Sequence, residues 1–194
     1  MPQVSAREFE RLPLRVHSFL ADVPLHDVWA IDLPRPRAGI TLDEFLRSTG
    51  GRPFKPSPAS RALLNLRFFI GRLLGWDREP TATECEPFAA RMTPADRSQS
   101  LAPAGTREGP FRIVYRFENE QLVELANRTV HAAALSALVE TAHAYRLYFG
   151  VYVRRISRFT SLYMALIDPF RKLIVYPSLL RSMRTRWNQT FGSH

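Results

Sequence analysis

Apolar residues recur along this chain with two periods, and the switch between them marks its elements. From Ala144 to Arg154 the sequence alternates, with Tyr145, Leu147, Phe149, Val151 and Val153 on one side and Arg146, Tyr148, Tyr152 and Arg154 on the other. Alternation over this length predicts a β-strand. Beyond Ser157 the spacing becomes three and four, with Leu162, Leu166, Phe170, Leu173, Pro177, Leu180, Met183 and Trp187 in register. That spacing predicts a long amphipathic helix, kinked or split at Pro169 and Pro177.

The same reading applies upstream. Residues 27–33 alternate, with Trp29, Ile31 and Leu33 against Val28, Ala30 and Asp32, and Pro34 and Pro36 end the run. Thr41 precedes a short helix in capping-box register with Glu44, and Gly50-Gly51 stops it. Ser60 caps a second helix through Leu74, closed by Gly75. Residues 77–109 hold Pro80, Pro87, Pro94 and Pro103 and little periodicity. They read as a long surface loop with one strand near Cys85 to Met92, either a lid or binding segment, as its length allows, or a mobile loop without a role.

Strands resume at 111–117, with Phe111, Ile113, Tyr115 and Phe117 on one face. They continue at 122–127 and 129–140, where His131, Ala133, Leu135, Ala137 and Val139 form the inward face. Glu118-Asn119-Glu120 and Thr141 to His143 are the turns. Four consecutive strands joined by short turns predict an antiparallel meander. The expected fold class is therefore α+β: a curved antiparallel sheet wrapped on a long C-terminal helix, with two shorter helices nearer the N-terminus. Residues 1–24 read as an extended lead-in and 25–191 as a single domain.

Composition narrows the functional classes. The 194 residues are 45% hydrophobic and 23% charged, ordinary values for a globular protein. The net charge of +9 is concentrated at one end. From His143 onward nine basic residues face Asp168 alone, a net of +8. Of the 27 basic residues only Lys55 and Lys172 are lysines, a bias that reads as composition and solvated surface more than as a binding device. Tyr148 and Tyr152 alternating with Arg146 and Arg154 resemble a single-strand nucleic-acid platform, but no RNA-binding signature accompanies them, so nucleic acid is disfavoured. The basic terminal helix allows weak contact with an anionic membrane. The N-terminus lacks the apolar core of a signal peptide, and Asp168, Arg171 and Lys172 interrupt the best candidate for a membrane span. A cytoplasmic location is expected. Cys85 is the single cysteine; no disulfide within the chain is possible, and flanking Glu84 and Glu86 disfavour a nucleophilic thiolate.

There is no glycine-rich phosphate loop, no nucleophile elbow and no metal-binding spacing among the five histidines. No metal and no cofactor are expected. His131, inward by strand parity, is the leading acid/base candidate, the alternative being a buried neutral histidine bonded to backbone or water. Asp27 shares parity with Trp29 and Ile31 and is paired with it as a carboxylate partner. Tyr145 is read as polarising a carbonyl or anchoring a ligand, or else as a core tyrosine with a satisfied hydroxyl. Asn127 and Arg128 are candidates for binding a carboxylate or carbonyl at the pocket mouth or are plain turn residues, and Trp29, Tyr115, Phe149 and Leu135 are expected to line an apolar interior.

Several runs resemble a bacterial family catalogued as domain of unknown function 2867. They are Leu122-Val123-Glu124-Leu125, Leu138-Val139-Glu140, Asp27-Val28 before the first strand, and above all Ser161 to Val175, with a tyrosine, a Pro-Phe pair beside basic residues and Leu-Ile-Val in a helix. The resemblance covers roughly residues 20 to 185. It implies a relative of the helix-grip superfamily, which includes START-type lipid carriers, plant pathogenesis-related proteins and polyketide cyclases. It transfers no catalytic residue. The chain departs from the family at Ala132-Ala133-Ala134, where bulkier and charged residues are usual. The expected function is binding of a small apolar, lipid-like or polyketide-like molecule in an interior cavity. The alternatives are a cofactor-independent cyclase, dehydratase or isomerase in the same cavity, and a peripheral membrane or interaction module. Oligomeric state is left open.

Overall fold

The computed structural model describes residues 3–49, 86–127, 130–154 and 168–192. Its centre is a six-stranded antiparallel sheet in the order β1-β6-β5-β4-β3-β2. The strands are β1 (Leu25–Pro34), β2 (Arg107–Glu108), β3 (Phe111–Arg116), β4 (Glu120–Ala126), β5 (His131–Glu140) and β6 (Ala144–Arg154). The meander from β3 to β6 is formed as the turn residues require, and β1 closes onto the far edge of β6. The fold class is α+β, with a C-terminal helix across one face and shorter helices elsewhere, consistent with a helix-grip-like architecture.

Both faces of the sheet are buried, and strand parity decides which residue goes where. On one face Trp29, Ile31 and Leu33 of β1 join Tyr145, Leu147, Val151 and Val153 of β6. Helix α3 (Leu42–Ser48) and helix α5 (Tyr176–Phe191) cover them, through Phe45 and Leu46 and through Tyr176, Leu180, Met183 and Trp187. On the other face Val28, Ala30, Ala133, Leu135, Ala137, Tyr148, Tyr152 and Tyr115 pack against the N-terminal segment and residues 88–92. That layer is built from α1 (Ala6–Glu10), α2 (Arg15–Phe19), the 3₁₀ turn Phe88–Arg91 and α4 (Pro94–Gln99).

Three local expectations are corrected here. The N-terminal residues read as an extended lead-in form α1 and α2, whose Phe9, Val16 and Phe19 are buried. Their apolar positions are too few per segment to show helical periodicity, yet enough to cap a sheet face. The described part of the segment read as a long loop with a strand holds the 3₁₀ turn and α4 instead. Thr93 and Asp96 cap α4 reciprocally, a capping signal that competes with strand formation. The C-terminal stripe also slips. Leu180, Met183 and Trp187 are buried as expected, but Phe170 and Leu173 are exposed, Leu173 at 77%. The cause is a π-helical turn, Arg171–Val175. Its wider turn rotates Leu173 off the apolar face, while Tyr176, one turn before Leu180, is buried. The helix expected over 60–74 lies outside the described residues.

Thr41 caps α3 as predicted, its Oγ accepting from Glu44 N at 3.1 Å. The end of α5 is fixed by Trp187, fully buried, whose Nε1 donates to Pro34 O at 3.0 Å. No helix among the described residues is long and apolar enough to cross a membrane.

Candidate functional site

At the start of β1 the register with β6 slips between Leu25 and Asp27. A β-bulge of this kind re-aims side chains that strict alternation would send to opposite faces. Here His26 and Asp27, adjacent in sequence, both reach toward the beginning of the C-terminal helical segment. His26 Nε2 lies 3.0 and 2.9 Å from the two carboxylate oxygens of Asp168, and 3.9 Å from Asp27 Oδ2. Helical spacing then places Arg171 and Lys172 over Asp168, at 2.9 and 3.6 Å. Arg171 also comes within 3.7 Å of Asp27 Oδ2 and donates to the hydroxyl of Tyr176. A β-bulge and a π-turn, two irregularities that recur at functional sites, thus meet at one cluster.

Asp27 is the unusual member. Its side chain has no solvent exposure, and neither carboxylate oxygen has a hydrogen-bond partner among the described residues. Burial pushes its carboxyl above the usual carboxylate range, against the opposing pull of Arg171 and then His26. Two residues on and on the same face, Trp29 stands directly opposite Phe149 in the β1–β6 register. Tyr176 packs against both rings, at 5.7 Å from Trp29 and 5.5 Å from Phe149. The indole Nε1 of Trp29 is likewise buried without a partner among the described residues. Indole N–H groups ordinarily find an acceptor when buried. The aromatic wall therefore carries a donor and, beside it, an acid, neither of them hydrogen-bonded among the described residues.

Of the residues expected to share one interior, the structure brings together Asp27, Trp29 and Phe149. Tyr145 shares their face, and the other described candidates are separated from it. His131 is opposite Arg154 in register and lies on the face with Ala133 and Leu135, away from Asp27, so the expected His131–Asp27 acid/base pair is not formed. The correction follows from pairing: in the β5–β6 register Ala132 meets Val153, so the even-numbered residues of β5 share the face of Tyr145 and Val153. His131 is fully buried. Its Nε2 is 3.2 Å from Glu124 Oε2, the oxygen that also accepts from Phe88 N at 2.7 Å, and the Phe88 ring stacks on the imidazole at 3.8 Å. This is an anchor for the Phe88–Arg91 turn.

Tyr115 and Leu135 belong to that same opposite face. The Tyr115 hydroxyl donates to Glu120, which also accepts from Arg15 N and Val16 N at the start of α2. Tyr145 is on the helix-covered face but bridges loop backbone, accepting from Ile40 N at 2.8 Å and donating to Arg37 O at 3.1 Å. Asn127 holds the β4–β5 turn, its Oδ1 accepting from Val130 N at 2.9 Å. Arg128 lies outside the described residues.

Sequence reasoning passed over His26, Asp168, Arg171 and Tyr176. A signal for one of them existed: Asp168 is the single acid in a strongly basic stretch, with cations three and four positions on, the spacing of helical ion pairs. No pattern within β1 announces the bulge.

Comparison with curated proteins and with solved structures finds no match in either. One family model matches residues 19–178, that of the protein of unknown function DUF2867. The matched span runs from the end of α2 through the sheet to the first turn of α5, taking in both the bulge and the π-turn. The chain belongs to the DUF2867 family of proteins of unknown function.

Proposed function

We propose that the protein binds a small, largely apolar molecule of lipid-like or polyketide-like character between the sheet and the C-terminal helix. The observation that carries this reading is the buried, unpartnered Nε1 of Trp29 within the Trp29–Phe149–Tyr176 wall. A ligand oxygen accepting from that N–H would satisfy a donor left unmet among the described residues, and the rings would hold an apolar body. Binding sites of this type combine apolar lining with a few placed polar groups. The test is native mass spectrometry of the purified protein, followed by extraction and identification of any small molecule that it carries. A co-purifying apolar compound supports the reading.

A second reading is favoured by the hydrogen bond between His26 and Asp168. An imidazole oriented by a carboxylate is a competent acid/base, and it would make the protein a cofactor-independent cyclase, dehydratase or isomerase of a molecule held at the same wall. His26 then takes the part expected of His131. Turnover of an identified ligand that survives His26→Ala would remove this reading.

A further inference from the structure

We propose that His26, Asp27 and Asp168 form a binding site for a divalent first-row metal ion of the zinc class. Each offers one ligand atom, and the three atoms lie within 4.8 Å of one another. Imidazole nitrogen with two carboxylates is a donor set that zinc and its neighbours accept. Donors about 2.1 Å from a common ion stand roughly 3 to 3.5 Å apart. His26 and Asp168 are already at that separation, and His26 and Asp27 need to close only slightly from 3.9 Å.

The observation that points to a ligand is Asp27. A carboxylate with no solvent exposure and no hydrogen bond is costly. Buried charges of that kind are resolved by protonation, by pairing or by a metal. Arg171 lies near but makes no hydrogen bond to it, at 3.7 Å.

Two cations, Arg171 and Lys172, border the cluster. Arg171 Nη1 donates to Asp168 Oδ1, and Oδ2 is the oxygen nearer His26. A hydrogen-bond donor on the non-ligating oxygen is a common outer partner of a metal-bound carboxylate. Lys172 is 40% exposed at its side chain and free to turn outward. Both charges oppose the ion, so the site binds more weakly than the same donors would alone. Three protein ligands leave coordination positions for water or for an oxygen of the bound molecule, as in catalytic rather than structural zinc sites.

The test uses the full chain, stripped with chelator and dialysed, then titrated with zinc chloride by calorimetry, with retained metal measured by mass spectrometry. Manganese chloride is the second probe. One ion per chain is expected for the wild type. His26→Ala and Asp168→Asn should weaken binding about tenfold or more, since even outer-shell changes cost ten- to a hundred-fold. Lys172→Gln should tighten it. Glu44→Gln, at the remote Arg37 pair, should change nothing. Circular dichroism confirms that each variant is folded, and the partly exposed His26 is chosen because Asp27→Asn risks the core. Trp29→Phe should leave zinc binding intact, which separates this site from the small-molecule reading. No ion retained by the wild type, or retention unaltered in both His26→Ala and Asp168→Asn (an adventitious ion only), overturns the proposal.

Discussion

His26 Nε2 meets Asp168 Oδ2 at 2.9 Å across 142 residues of chain, tying the bulged start of β1 to the start of the C-terminal helical segment. The contact is partly exposed, at 27% and 19% of the two side chains. Exposed ion pairs contribute little, about 1 kcal/mol or less. His26→Ala should therefore lower the stability in a urea unfolding experiment by no more than that. A loss of several kcal/mol would mean that the cluster is a structural staple rather than a functional site.

Asp96 provides a clean pH signature. The Arg15 guanidinium beside it, and then the Thr93 cap, hold its carboxyl at about 2 against an ordinary 3.8. A depressed carboxylate contributes stability that is present above the unfolded value and lost as pH falls through the folded value. Stability should thus decline between about pH 4 and pH 2 by roughly 1 kcal/mol, reduced from the full linkage because Arg15 is part-exposed. Asp96→Asn should flatten this part of the curve while lowering stability at neutral pH, read by chemical denaturation at each pH.

His131 and Glu124 form a fully buried pair under the Phe88 ring. His131→Leu should cost about 1 to 3 kcal/mol, the range for leaving a buried polar partner unmet. Because the pair is on the face away from Trp29, any bound molecule should be retained. Loss of the molecule in a variant that still folds would return His131 to the site.

Trp187 contacts Phe45, Tyr145 and Phe191 and closes α5 onto β1. Trp187→Ala should destabilise by about 3 to 5 kcal/mol, as large core truncations do. Trp187→Phe should recover most of the packing but lose the bond to Pro34 O. Thermal unfolding of the two variants separates these contributions.

These residues also show what the sequence makes legible. The meander, the Thr41 cap and the Leu180–Met183–Trp187 stripe follow from period and capping chemistry, which act within a few residues. The faces do not. Tyr145 and Val153 share a face, as their parity predicts, but that His131 points to the other face follows only from the β5–β6 register, since a single-residue offset moves every side chain to the other face. With both faces buried, apolar parity alone gives no inward direction: Leu135 and Leu147 are equally buried on opposite sides. His26 was invisible as a site residue because its position depends on a bulge, and Tyr176 because steps of three and four back from Leu180 admit both Pro177 and Tyr176.

The most direct test of the central claim, that the Trp29 wall holds a small molecule, is native mass spectrometry of the wild type, Trp29→Phe and Tyr115→Phe side by side. Trp29→Phe removes the unpartnered N–H while keeping a ring, and Tyr115→Phe removes a hydroxyl from the opposite face. The account predicts a wild-type protein carrying an extractable apolar compound, occupancy lost or sharply reduced in Trp29→Phe, and occupancy kept in Tyr115→Phe. A wild type of bare polypeptide mass, or a compound lost with Tyr115→Phe and kept with Trp29→Phe, would contradict it.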